Sequence, residues 1–236
     1  MEAACASRRG KAPRILDAGA PRATWSVEQF VAAMNICLHF LDDALLVAEK
    51  PPGLLSVPGR LEVDCLVSRL QAVYPDALTV HRLDQVTSGL MLYARGSAVQ
   101  AALSAQFEQR RVGKRYEAVV EGMLADDAGE IDLPLICDWP NRPKQKVDPV
   151  HGKPALTRWR VLARDVATRR TRVELEPVTG RSHQLRLHMA SLGHPIAGDV
   201  LYGATPAARV HLHACRLAFA HPLTGDALAF ASPCPF

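Results

Sequence analysis

The sequence predicts a mixed α+β domain. Short runs rich in Val, Leu, Ile and aromatic residues recur along the chain, bounded by Gly, Pro, Asn and Asp, as strands are. Between them lie stretches whose apolar residues repeat at helical spacing. No internal repeat interrupts this alternation of strands and helices, which is the pattern of an α+β fold. At 236 residues the chain fits one large domain or two small ones, and 48% hydrophobic residues suffice for a core.

Residues 1–23 are rich in Ala, Arg, Gly and Pro without periodicity, a composition that predicts disorder. Thr24–Asn35 has the spacing of a short helix, with Ser26 as its N-cap and Phe30 and Met34 one turn apart. Residues 1–35 therefore read as an extension, with Met34 an alternative start. Ile36–Leu41 and Ala44–Ala48 read as a hairpin around Asp42-Asp43, ended by KPPG at Lys50–Gly53. Asp64–Val73 has helical spacing. Thr79–Leu83 and Leu90–Ala94 read as strands either side of a turn. Ser97–Val112 predicts an amphipathic helix capped by Ser97, with Val99, Leu103 and Phe107 on one face. Strands are expected at Arg115–Val120, Glu130–Leu133, Ala155–Leu162 and Arg172–Glu176, the last alternating Val173 with Leu175. Ser182–Leu192 predicts a helix with Leu185, Met189 and Leu192 inward and Gly193 just past its end. Val210–Phe219 and Ala227–Ala231 close the chain as strands.

The formal charge of +4 is modest, but basic residues gather in Arg110–Arg115, Arg142–Lys153 and Arg158–Arg172. A solvated face explains any one cluster; three together suggest a surface that tracks phosphates. Six cysteines (Cys5, Cys37, Cys65, Cys137, Cys215 and Cys234) show no CxxC spacing, and no signal-like segment opens the chain. They read as reduced thiols of a cytoplasmic protein. No apolar run approaches the roughly 18 residues that a membrane span needs.

HRLDQVTSG at His81–Gly89 is the most informative segment. It sets Asp84 between Arg82 and a Thr-Ser-Gly turn that enters an apolar strand. A buried strand entered through a tight turn holds its flanking side chains rigidly, which a reacting carboxylate needs. A strand-end ion pair between Arg82 and Asp84 fits the same residues. Tyr116 alternates with Arg115 and Glu117 in KRYEAVV, as a core aromatic with a wet hydroxyl does. Arg181 and Arg186 are about 500° of helical rotation apart, so they cannot share a face. One is free to meet a carboxylate while the other faces backbone or ligand. His211 and His213 alternate along a strand, and His183 and His188 lie on a helix. No HExxH pattern, Cys/His knuckle or Gly-rich phosphate loop accompanies them, so no metal or nucleotide cofactor is expected.

HRLDQVTSG, then KRYEAVVEG (Lys114–Gly122), then TGRSHQLRLHMASLGHPIAGD (Thr179–Asp199) resemble, in this order, the motifs of the RluA family of pseudouridine synthases. The resemblance runs from about Leu45 to the C-terminus. GLLSVPGR (Gly53–Arg60) and DLPLICDWPNRPKQKV (Asp132–Val147) are similar to family members that modify both ribosomal and transfer RNA. This implies the pseudouridine synthase fold over residues 36–236: a curved, mainly antiparallel mixed sheet with flanking helices around a central RNA-binding cleft.

The resemblance also implies roles. Asp84 is then the essential aspartate, and Arg186 its ion-pair partner. Tyr116 is the active-site tyrosine, stacking on uracil and a candidate to remove the carbon-5 proton. Arg82 fills the space left by an extruded uridine or binds the phosphates beside it. Arg142, Lys144 and Lys146, with Trp139 on a Pro-interrupted loop, suit phosphate contact and stacking, and Arg181 is a further RNA contact. The implied substrates are uridines in stem-loops of tRNA (the anticodon arm) and 23S rRNA, with another tRNA position as the alternative. Uridine isomerisation needs no cofactor or metal. Larger relatives carry an S4 RNA-binding domain, for which the stretch ahead of the motifs is too short. A monomer that finds its RNA with the catalytic domain alone is expected. Two other readings compete. A glycoside hydrolase would pair Asp84 with a second acid, Glu117 or Glu121. A non-catalytic RNA-binding module would use only the basic segments.

Overall fold

A ten-stranded mixed sheet, in a computed structural model describing residues 36–236, carries the molecule. The readings of residues 1–23 as disordered and Thr24–Asn35 as a helix lie outside the described residues. In chain order the elements are β1 (Leu38–Leu41), β2 (Leu45–Lys50), α1 (Leu66–Gln71), β3 (Ala77–Thr79), β4 (Ser88–Arg95), α2 (Ser97–Glu108), β5 (Gly113–Glu121), β6 (Ala128–Asp132) and β7 (Leu135–Cys137). Then come β8 (Gln145–Val147), β9 (Leu156–Asp165), β10 (Arg170–Pro177), α3 (Gln184–Ser191), β11 (Leu212–Ala220) and β12 (Ala227–Ala231). The main path runs β1-β2-β4-β11-β5-β10-β9-β6, with β3 paired to β4 and β12 to β11. Every pairing is antiparallel except β4 with β11. The expected α+β class and mainly antiparallel sheet are therefore those of the structure.

β4 is an interior strand, fully covered because it is apolar on both faces. Leu90, Leu92 and Ala94 pack with Val99 and Leu103 of α2, while Met91 and Tyr93 pack with Leu66 and Leu70 of α1. A strand covered on both sides reads as a continuous apolar run, as this one does. On the other half of the sheet, Ala118 and Val120 of β5 and Val173 and Leu175 of β10 pack against Leu185 and Met189 of α3. The parallel approach of β11 to β4 leaves no room at Gly89. Its φ is +118°, and a Cβ there would lie 2.4 Å from the Ala214 carbonyl oxygen. Only glycine fits that crossing.

Several boundaries differ from the sequence reading. Thr79–Leu83 is not one strand, for β3 ends at Thr79. Beyond it the His81 ring takes the place of the ladder, its Nε2 accepting the Leu92 amide at 3.0 Å. Ser97 is the first helical residue rather than the cap; Gly96 caps α2 at φ 87° with no side-chain bond. That helix stops at Glu108, and Arg110 turns left-handed at φ 58°. Leu192 faces outward, not inward, because α3 ends before it. The short β7–β8 hairpin was not expected from the sequence. Among the described residues no helix is long and apolar enough to cross a membrane.

Candidate active site

The loop that carries Asp84 is fixed from beneath. Ser56 Oγ donates to the Leu83 carbonyl at 2.7 Å and accepts the Leu83 amide at 3.0 Å, replacing the bonds a strand would have made. Lys50 is fully buried, and its Nζ donates to the carbonyls of Pro51, Leu54 and Gln85 at 2.9, 2.6 and 3.0 Å. Burial pulls the Lys50 pKa down to about 7, against the opposing pull of the Asp84 charge. The Gly53 amide also donates to Gln85 O at 2.8 Å, and Thr87 N–H closes the turn onto Asp84 O at 3.0 Å. The backbone on both sides of Asp84 is thereby held.

Arg186 reaches Asp84 from the first turn of α3. Its Nη1 donates to Asp84 Oδ2 at 3.3 Å. Its Nε and Nη2 donate to Asp199 Oδ2 and Oδ1 at 2.6 and 2.8 Å, a two-pronged grip on a carboxylate that is almost wholly buried. Burial alone would lower the Arg186 pKa; the bonds and charges of Asp199 and Asp84 outweigh it and raise it. Arg186 is thus a permanent cation of fixed orientation. Tyr202 backs it, with its ring 5.2 Å from the guanidinium carbon. The Tyr202 hydroxyl accepts the Gln145 amide at 2.9 Å and shares a 2.8 Å hydrogen bond with His183 Nδ1. It therefore ties the β7–β8 hairpin to the start of α3.

Asp84, Tyr116 and Arg186 line one cleft of about 960 Å³, and Arg82, Arg142 and Arg181 line it too. Burial, then the charge of Asp84, pushes the Tyr116 phenol above its usual pKa, so it stays neutral. Arg82 is exposed, with no ion-pair partner among the described residues. Arg142 stacks over Trp139, 4.1 Å from the ring centre. Arg181 precedes α3, so the helical-rotation argument does not reach it; its Nε donates to the Pro154 carbonyl at 3.1 Å. Lys144 and Lys146 stand on the same hairpin but off the cleft wall. Lys144 approaches the Tyr202 ring at 6.0 Å, and Lys146 pairs with Asp148 at 3.5 Å.

Within the basic stretch Arg158–Arg172, Arg169 and Arg170 have no ion pair among the described residues, but the other four arginines are not the open phosphate-tracking surface that composition suggested. Arg158 pairs with Glu130, Arg160 with Glu174, Arg164 with Asp127 and Arg172 with Glu117. None of these arginines lines the cleft. Cross-strand acids, which a linear count of charge overlooks, neutralise them. His211 and His213 do not act together. His211 stacks on Phe236, while His213 is buried between Ser88 and Ser232.

Sequence reasoning missed Asp199, Tyr202 and Lys50. Asp199 closes the third motif, yet nothing local shows that it grips Arg186, thirteen residues earlier. Lys50 stood in KPPG, where Pro and Gly drew attention to the turn rather than to the buried amine.

Residues 44–191 match the family model for RNA pseudouridylate synthase. The dual-specificity RNA pseudouridine synthase RluA of Vibrio vulnificus (strain CMCP6) is 50% identical, with 84% of this chain and 82% of that protein covered. The protein of the same name from Escherichia coli (strain K12) is 49% identical, covering 85% of this chain and 94% of its own. Among solved structures, human RNA pseudouridylate synthase domain containing 1 superposes with a TM-score of 0.74 at 27% identity, covering 86% of this chain and 85% of that one. Human RNA pseudouridylate synthase domain containing 4 gives 0.73 at 24% identity over 88% and 93%, a likeness of fold alone.

Proposed function

The chain belongs to the RNA pseudouridylate synthase family, and we propose that it acts on uridines in stem-loops of both tRNA, in the anticodon arm, and 23S rRNA. It is an isomerase that converts uridine in RNA to pseudouridine. The bond from N1 to the anomeric carbon breaks, the uracil turns, and carbon-5 bonds to the anomeric carbon. Carbon-5 loses a proton while N1 gains one, so the composition is unchanged and no redox equivalent is consumed.

One observation carries the assignment of roles. Asp84 meets a guanidinium that Asp199 has already oriented, in the same cleft as Tyr116. A carboxylate on a pinned loop against a fixed cation is preorganised to attack or deprotonate without moving. In this reading Asp84 is the essential carboxylate. Arg186 holds it and balances its charge. Tyr116, kept as a neutral phenol, stacks on the uracil. To accept the carbon-5 proton it must first shed its own. Arg82 enters the space the uridine leaves, and Arg142 and Arg181 contact phosphates at the rim, with Lys144 and Lys146 behind them on the hairpin.

The hydrolase reading loses its second acid. Glu117 pairs with Arg172, and Glu121 accepts the Thr205 amide at 2.8 Å; neither lines the cleft. Asp199 lines it but is occupied by Arg186. Action as a monomer in the cytoplasm completes the proposal. The dual target rests on the dual specificity for which those relatives are named. Incubating an anticodon stem-loop and the rRNA hairpin separately, then mapping pseudouridine in each, tests it. Conversion of both supports the proposal, and conversion of one alone narrows it to that RNA.

A further inference from the structure

Two groups in the cleft have no use in the chemistry just described. Lys114 and Tyr116 are two residues apart on β5, so their side chains leave the same face of the strand. Lys114 lines the cleft with Tyr116 and Asp84, yet its ammonium has no ion-pair or hydrogen-bond partner among the described residues. It lies against Gly180: a Cβ built on that residue would be 3.9 Å from Nζ. The Gly180 φ is not left-handed, so what glycine provides there is the lack of a side chain to cover the ammonium. A half-buried cation without a counter-charge is unfavourable unless a ligand supplies one.

His81 is the second group. Its Nε2 accepts the Leu92 amide at 3.0 Å, which requires that nitrogen to be unprotonated. Its ring stacks on Phe107 at 4.7 Å, and both rings line the same cleft. Neutral imidazole with Nε2 bare carries its hydrogen on Nδ1, and Nδ1 donates to no described residue. The nearby Lys114 charge helps to keep the ring neutral. This corner of the cleft thus presents an ammonium and a fixed N–H, both donors, with Arg82 the next residue along the chain. Neither carboxylate of the cleft pairs with them.

We propose that Lys114 and His81 form a phosphate subsite that takes a backbone phosphodiester beside the target uridine, setting that nucleotide against Asp84 and Tyr116. This rests on the reading of the cleft as an RNA isomerase site. Lys114 supplies the charge and His81 the direction, since a flexible ammonium gives attraction without orientation and a stacked imidazole gives orientation without charge.

The test is a linkage walk. Anticodon stem-loops carrying one neutral methylphosphonate at successive positions around the target uridine are compared with the unmodified RNA. Single-turnover conversion and filter binding are measured with the wild type, Lys114→Met and Lys114→Arg. One linkage should raise the wild-type dissociation constant and half-saturating concentration about tenfold, the scale of a charge-assisted hydrogen bond. Lys114→Met should show that loss on unmodified RNA and be indifferent to that linkage. Its slope of log affinity against log salt should be shallower by about 0.7, and Lys114→Arg should restore most of the binding. If Lys114→Met remains as sensitive as the wild type to every linkage, or binds unmodified RNA with unchanged affinity, there is no such subsite. Should the wild type bind the stem-loop without converting it, the anticodon arm is not its substrate, while the binding arm of the walk still decides the subsite.

Discussion

Replacing Asp199 by Ala separates holding Arg186 from doing the chemistry. The side chains of Arg186 and Asp199 are 5% and 2% exposed and joined by two bonds of 2.6 and 2.8 Å. Removing one member of such a buried pair typically costs about 3–5 kcal/mol, because the remaining charge is stranded. For a domain of this size each kcal/mol moves the melting temperature by roughly 2–4 °C, so Asp199→Ala should melt about 6–20 °C below the wild type. Asp84→Asn should behave differently. Its contact with Arg186 is longer, at 3.3 Å, its side chain is 25% exposed, and Arg186 keeps Asp199. That variant should melt within a few degrees of the wild type. Differential scanning calorimetry of both variants, beside a pseudouridine assay at a temperature where both are folded, reads the contrast. Asp199→Ala should retain RNA binding and lose most activity, since Arg186 no longer presents a fixed charge to Asp84. An Asp199→Ala protein as stable and active as its parent would refute the claim that this carboxylate orients the site.

Three further outcomes follow from the same geometry. Tyr116→Phe should bind RNA normally and lose product formation, whereas Tyr116→Ala should also lose about 3 kcal/mol of stability on urea titration; full activity of the Phe variant would limit Tyr116 to packing and stacking. Gly89→Ala should lose at least about 3 kcal/mol, because a Cβ would stand 2.4 Å from Ala214 O at a φ of +118°; an unchanged urea midpoint would contradict the parallel β4–β11 register. His81 has its pKa lowered from 6.5 to about 3, by burial first and then by Lys114. The unfolded chain therefore binds the proton and the native one does not between those pH values. Its contribution is complete above pH 6.5 and lost as pH falls toward 3, at most about 4–5 kcal/mol. Since Gln can accept the Leu92 amide without titrating, the stability difference between wild type and His81→Gln should change steeply across that window, and a flat difference would show that His81 is not held neutral.

The residues with chemical character were legible in the sequence, while the residues that hold them were not. Asp84, Tyr116 and Arg186 each stood in a distinct motif, and the structure places them in one cleft although 102 residues separate the ends of the Asp84–Arg186 contact. Asp199, Ser56 and Lys50 act through long-range bonds to backbone or guanidinium, and neither periodicity nor local spacing reports such partners. The strand expected over Thr79–Leu83 failed for the same reason: Ser56 and the His81 ring satisfy polar groups that local propensity assigned to a ladder. Charge counting misled at Arg158–Arg172, where the paired acids come from neighbouring strands. β4 was the easiest strand to read, because burial on both faces leaves an unbroken apolar run.

The most direct test of the catalytic assignment is a nucleoside count. A uridine-labelled anticodon stem-loop is incubated with the wild type or Asp84→Asn, digested to nucleosides and separated. The account requires pseudouridine from the wild type and only uridine from Asp84→Asn, although the variant binds the RNA as tightly. Free uracil from the wild type would mean hydrolysis, unchanged uridine would remove the anticodon arm as a target, and pseudouridine from a clean Asp84→Asn preparation would remove Asp84 from the chemistry.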